Sequence, residues 1–529
     1  MDKKKSDAIL EFIKNQFNEN KEIINLNNKN IGNNYYYLLS KIDTSKLKEL
    51  NLSMNNISDL SHLQKLNLEN LEKLDISYNK LSNYDKLQKV NLKNLKILII
   101  NLNELDSLDS LVNLNLEKLE SLNLDDSLRK MPNLDKIDQL NFKSLKELYL
   151  SRNSISDLAA LTKTNFEKLE ILDLSENKIS DISSLIKANF VELKKLMLNS
   201  NQINDITILA NVKFEKIEKL SLGDNKIKNI EVLEKVNFKD LKELELDKNE
   251  ITNIKVLEKV NFENLKNLDL GQVNLHDLSF LEKLKFEKLE KLCLGNNNIV
   301  NIEPLEKVSF KQLKELYLNG NKILNIEPLV KVDFKELIIL SLIENQIEDI
   351  KPLENVKFEK MEKLLLSANK IKNIEILEKT NFKELKNLEL IELGLTDISF
   401  LEKVNFEKLE VLDLRCNRIS DIKILEKVNF KHLKKLNLFD NGDGQGGGLT
   451  DISVLEKVHF DNLENLYLGW NPIKNLDILL RTNFYKLKDI TFDFENEEER
   501  SLLMKKLREK FKNLEWEEEE EENNENNSS

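Results

Sequence analysis

The chain has 529 residues, 40% of them hydrophobic and 33% charged, a balance that supports a packed core under a charged surface and excludes wholesale disorder. The formal charge is −13, with thirteen glutamates against six lysines or arginines in residues 495–529, and no basic stripe offers nucleic acid a surface. Apolar runs such as LKILIINL at 95–102 fall far short of the roughly 20 residues that cross a bilayer, so no membrane contact is expected, and two cysteines, Cys293 and Cys416, are too few for a disulfide framework.

The opening MDKKKSDAILEFIKNQF has neither the apolar run nor the small-residue cleavage site of a signal peptide, which places the protein in the cytoplasm, with the nucleus as the alternative. Its residues 6–17 are spaced for an amphipathic helix, and the segment 1–22 is read as an N-terminal cap.

A 24-residue period then governs residues 23–494, as NFEKLEILDLSENKISDISSLIKA at 165–188 is followed by NFVELKKLMLNSNQINDITILANV at 189–212. Marker asparagines run from Asn55 to Asn471, and counting the degenerate turns at Ser127, Val273 and Leu393 gives eighteen repeats after a weaker opening turn at 23–31. In LEILDLSENKI, Leu172 and Leu174 share one face of a short strand and Asp173 takes the other. Asn177 stands where the chain must turn, with an amide able to satisfy buried backbone groups, which Val273 and Leu393 lack, so those turns should be irregular. Asp181 is placed to cap a short helical return, as are Asp157, Asp205, Asp349 and Asp421, and Pro304, Pro328 and Pro352 fall in its first turn.

The residue after the first strand leucine alternates, Lys48, Glu72, Lys96, Glu120 and onward with two slips to Lys488, so neighbouring repeats present opposite charges. At 440–452 the period breaks at DNGDGQGGGLTDI. Removing Asp443 to Gly448 restores it with Leu449 and Ile452 in core positions, which marks the glycines as an insertion. No Lys-Ser/Thr follows for a phosphate loop. Asn441, Asp443, Gln445 and Gly446 match the early positions of a calcium loop, but Ile452 stands where the bidentate glutamate belongs. After the repeats, 495–516 reads as a C-terminal capping helix with Leu503, Leu507, Phe511 and Leu514 on one stripe, and 517–529 as a disordered acidic tail.

The core LxxLxLxxNxIxDIxxL, as in LKELYLSRNSISDLAAL at 145–161, resembles the short leucine-rich repeat subfamily typified by the nuclear regulatory subunit of protein phosphatase 1, and the repeat domains of bacterial internalins. That resemblance implies an α/β leucine-rich repeat solenoid, with a curved parallel sheet on its concave face and short helices on its convex face. The NF segment makes these repeats longer than is common there, and the acidic end EWEEEEEENNENNSS is similar to acidic nuclear proteins that join leucine-rich repeats to a histone-binding tail.

The histidines His62, His276, His432 and His459 are scattered over distant repeats, and no catalytic set, metal site or cofactor site is expected. The function read from the architecture is a monomeric, non-catalytic scaffold or regulatory subunit that recognises a protein partner on the concave face. The alternatives are a structural spacer and, by resemblance, a phosphatase-regulatory subunit. Most concave positions hold small or polar residues, but Ile391, Arg415 and Phe439 occupy one position in three successive repeats, with Tyr467, Trp470 and Phe494 beyond them. Clustered aromatics and arginine have the composition of a docking site, and equally of cover for the terminal repeat.

Overall fold

The computed structural model describes residues 3–131, 133–442, 447–493 and 497–515; Phe494, the insertion residues 443–446 and the acidic tail lie outside them. The chain forms two compact units, Met1–Asn274 with Leu284–Phe286, and Leu275–Lys283 with Glu287–Ser529. The division falls beside Val273, one of the turns without its asparagine.

In the first unit eleven three-residue strands, from Ile23–Asn25 to Asn267–Asp269, run parallel, each paired with the next in sequence. In the second, nine do so from Lys291–Cys293 to Asp489–Thr491. The eighteen expected repeats supply the strands from Glu49–Asn51 to Asn465–Tyr467, and one further strand opens and one closes the series. Register follows the leucines: Leu244 stands opposite Leu220 and Leu268, so the core column repeats every 24 residues and one face stays open to solvent.

Asn177 shows what holds each turn. Its Oδ1 accepts the N–H groups of Asn153 and Ile155, both at 2.9 Å, and its Nδ2 donates to the carbonyls of Leu150, Leu174 and Ser175 at 2.9–3.0 Å. One buried carboxamide thus joins two successive turns. At the degenerate positions the consequence appears one repeat earlier. Ile227 gives its N–H to Asn249, but Ile251 and Ile371 face Val273 and Leu393, which have no side-chain acceptor, and the chain compensates with an extra lateral bond, Thr252 N–H to Lys228 O and Lys372 N–H to Glu348 O, both 3.0 Å.

The return segments are almost all 3-10 turns of four to six residues; in this form a few i to i+3 bonds such as Leu185 N–H to Ile182 O suffice for so short a piece. The expected caps act from one position further out than a helix N-cap. Ile182 is the boundary residue, and Asp181 accepts the N–H of Ser183 at 2.7 Å from outside it. Asp157, Asp205, Asp349 and Asp421 do the same at 2.8 Å. Pro304, Pro328 and Pro352 sit in the first turn as expected. Behind the returns runs a column of buried phenylalanines, which includes Phe310, Phe334 and Phe358, each 1% exposed.

Within each unit, lysines of the alternating series reach back to the glutamate of the repeat before: Lys96 to Glu72 at 2.7 Å and Lys194 to Glu170 at 2.6 Å in the first, Lys314 to Glu290 and Lys488 to Glu464 at 2.6 Å in the second. These pairs are exposed, so each is worth at most about 1 kcal/mol.

Helices close the outer ends. Lys3–Glu19 buries Ile13, and Gln16 Oε1 accepts the N–H of Asn25 on the first strand at 2.8 Å, which satisfies part of an open sheet edge. Glu497–Lys510 buries Leu503, Met504 and Leu507, followed by Phe511, and the Lys510 ammonium donates to the carbonyls of Leu480 and Thr482. Leu514, expected on the same stripe, is only half-buried because the helix has already ended. Beyond it Glu515 N–H bonds Lys488 O at 2.7 Å, as a new strand would begin.

Candidate functional site

The open face carries the residues on either side of each central strand leucine and the one after the second leucine, and the chain then turns. The residue before each marker position, from Met54 to Trp470, is left-handed in all eighteen repeats, with φ between 51° and 64°, yet only Gly320 is a glycine. The conformation costs a non-glycine roughly 1–2 kcal/mol. Hydrogen bonds such as Cys416 N–H to Phe439 O at 2.9 Å, with the asparagine beside it, hold each one in place. Side chains here are thrown off the rim of the sheet, which leaves Trp470 67% exposed.

Ile391, Arg415 and Phe439 do stand side by side, each two residues beyond the end of its strand, as Glu392 N–H to Arg415 O and Cys416 N–H to Phe439 O show. They are not equivalent. Ile391 is half-buried, with its N–H on Ser367 Oγ at 3.1 Å, and Arg415 turns to Asp413 of its own strand at 3.7 Å. Phe439 lies across Gly469, where a Cβ would come within 3.0 Å of its ring, and meets Trp470 with ring centroids 6.0 Å apart and planes inclined at 32°. Tyr467 sits one column away. Its hydroxyl donates to Asp489 at 2.7 Å, Lys435 lies over its ring, and burial with the Asp489 carboxylate pushes the phenol up to about 12. The structure therefore brings Phe439 and Trp470 together and places Tyr467 beside them; Phe494 lies outside the described residues.

Trp470 also walls a cleft of about 500 Å³ with Asp440, Pro472 and Asp493, and the Asp493 carboxylate accepts the Trp470 N–H. Gly442, just before the insertion, and Gly447, near its end, line the same cleft. The insertion leaves the turn intact: Asn441 is fully buried and donates to Leu414 O and Leu438 O, and Leu449 and Ile452 are in the core as expected. Gly448 closes it at φ 129°, where a Cβ would come 2.7 Å from Asn441 O. Among the described residues no group of three or more His, Cys, Asp or Glu is placed to hold a metal, and Cys293 and Cys416 form no disulfide.

A second feature of the open face had no mark in the repeat pattern. On the first unit, burial and then the carboxylates of Asp269 and Glu245 push Asp247 from 3.8 up to about 6. An acid that is easier to protonate when folded stabilises the fold below its unfolded pKa, and that stability is lost as pH rises through the folded value. Asp247→Asn should therefore flatten the stability profile between about pH 4 and 6 and, above pH 7, stabilise the first unit by about 1 kcal/mol after discounting for solvent screening. Denaturant titrations across that range check it; an unchanged profile would remove Asp247 as the source.

Parallel strands, left-handed turns and asparagine bridges at a 24-residue period define a repeat solenoid, a class of protein-binding scaffold. Family profiles described as Leucine Rich repeats (2 copies) match residues 143–187 and 287–331, and others described as Leucine rich repeat match 311–371, 45–61 and 407–422. The chain belongs to the leucine-rich repeat family. Among solved structures it is similar to an internalin (InlF) of Listeria monocytogenes, 30% identical over 61% of this chain and 86% of that one, with a TM-score of 0.49. It is also similar to TLR13 in the TLR13–ssRNA13 complex, 19% identical over 85% and 78%, with a TM-score of 0.51, a likeness of fold alone. A leucine-rich repeat protein of Leptospira interrogans is 22% identical over 90% and 98%, with a TM-score of 0.42. No curated protein matches the chain.

Proposed function

We propose that the protein is a non-catalytic scaffold or regulatory subunit that docks a protein partner on the open face of its second unit, through the Phe439–Trp470 pair and the cleft beside it. The observation that carries this reading is Trp470 itself: two-thirds exposed, held by its own turn, backed by Phe439 and bordering an open cleft. A large aromatic fixed in place before binding loses little freedom on docking, which is the property of a binding anchor. A phosphatase as the partner has only the repeat motif behind it.

The test is Phe439→Ala with Trp470→Ala, measured against the partner recovered from native lysate with the unaltered chain. Affinity should fall by roughly 2 kcal/mol or more, about thirtyfold, with the melting temperature unchanged. In a Trp516→Phe background Trp470 is the remaining tryptophan, and its emission should shift when the partner binds. Lost stability with intact affinity would make the pair a cover for the terminal repeat and end the proposal.

A further inference from the structure

Along the open face of the second unit the residues change character before the Phe439–Trp470 pair is reached. The position after the second strand leucine holds Gly295, Asn319 and Arg415 in three repeats, but Ile343 and Ile391 in two others, and Leu365 faces outward from the strand Lys363–Leu365 between them. Glu344 N–H to Ser367 O at 2.9 Å and Ala368 N–H to Ile391 O at 2.8 Å set these three repeats side by side. All three aliphatic side chains are half-buried, and what separates them is small. Ser341, opposite Leu365, and Ser367, between Ile343 and Ile391, are 2% and 4% exposed. The result is an apolar floor that crosses successive strands.

The edge of this floor is charged in phase with it. The left-handed rim residues run Glu344, Ala368, Glu392, Cys416 and Asp440, acid and small residue in turn. Carboxylates therefore recur at every second strand, about 9.6 Å apart. Residues seven apart on a helix return to one side every 10.5 Å, to within about 1 Å of that spacing, whereas an extended segment shows side chains to one side at about 6.8 Å and then about 13.6 Å. Cations stand toward the far end of the row: Arg415 turns to Asp413 at 3.7 Å, and Arg418 lines a cleft with Glu392, Cys416 and Asp440. An incoming base competes with Arg418 there. We propose, resting on the docking role given above to this face, that it takes an amphipathic helix of the partner protein, laid across the strands with its apolar stripe on Ile343, Leu365 and Ile391 and with basic residues at heptad spacing against Glu344 and Glu392. A helix bonds its own backbone, so it asks only side-chain contacts of a sheet face whose strands are already paired on both sides.

The probe is a fluorescein-labelled fifteen-residue peptide, helical by design, with leucines along one face and arginines beside them at the first, eighth and last positions. It is titrated with the full chain at roughly 0.15 M salt, where long-range attraction to the acidic tail is screened. Glu344→Gln with Glu392→Gln should weaken binding at least tenfold with the melting temperature unchanged. Leu365→Asn, which gives the floor the residue already at that position in Asn437, should weaken it as well. Arg418→Gln, which removes the competing cation, should tighten it at least twofold. Glu327→Gln with Glu375→Gln, an equal change of charge in the return segments, should leave it within twofold. Unchanged binding by the Glu344→Gln, Glu392→Gln variant, an equal loss in the return-segment control, or equally tight binding of a peptide whose leucines are scattered around the helix would each overturn the proposal. The aromatic pair is read separately: if Phe439→Ala with Trp470→Ala loses the lysate partner while the glutamine variant keeps both partner and peptide, the aromatic anchor stands and the helix does not.

Discussion

Replacing Asn177 with leucine should cost the first unit about 3–5 kcal/mol, although the two side chains are close in size. The amide makes five hydrogen bonds at 2.9–3.0 Å and is 8% exposed. Leucine would strand the N–H groups of Asn153 and Ile155 where water cannot reach, and each such donor costs roughly 1–3 kcal/mol. Val273 and Leu393 show how the chain tolerates the loss: an added lateral bond forms in the preceding turn, at Thr252 and Lys372. Asn177→Leu can relax the same way only by shifting a turn already fixed on both sides, so the cost should stay well above that of an exposed charge pair. Repeats can unfold in parts, so the measurement is hydrogen exchange at Asn153 and Ile155 alongside denaturant melting. A cost below about 1 kcal/mol would show that the asparagine bridges are dispensable.

Phe334→Ala should cost the second unit a similar amount, about 3–5 kcal/mol. Phe334 is 1% exposed and has Phe310 and Phe358 in the same position of the flanking repeats, also 1% exposed. Truncation opens a cavity between two layers that cannot close without moving both neighbours, so transfer and cavity terms add. Phe439→Ala removes the same side chain from the open face, and its melting temperature should hardly move. Equal destabilisation by the two would mean that the phenylalanine column contributes no more to the core than a surface ring.

Much of this fold is legible in the residues because a single period carries it. Leu172 and Leu174 two apart, Asn177 three further on and Phe190 in the next NF segment each need one environment, and only stacked parallel turns supply all of them every 24 residues. The glycine-rich insertion is recognisable for the same reason, since its removal returns Leu449 and Ile452 to phase. Caps and prolines follow from local backbone chemistry, so Asp181 and Pro304 could be placed to within a residue.

What the period leaves open depends on groups that meet across strands. The left-handed turn at Glu176 or Trp470 has no signature in residue type, because hydrogen bonds from the neighbouring repeats outweigh its local cost. Alternating lysine and glutamate predict pairs, but not that Lys96 or Lys194 turns to the repeat before it rather than the one after. Ile391, Arg415 and Phe439 share a position and so look alike in sequence. Tertiary structure separates them: Arg415 has Asp413 within reach, whereas Phe439 finds a glycine to lie on and Trp470 to meet. Asp247 and Asp269 look like ordinary solvent-facing carboxylates until the strands bring them together over Gly223, where burial and mutual repulsion raise the Asp247 pKa. The repeat, its core and its turns can be read from residue type and spacing, since they depend on contacts that recur every 24 residues; the character of the open face cannot, since it depends on which unlike side chains become neighbours one strand apart.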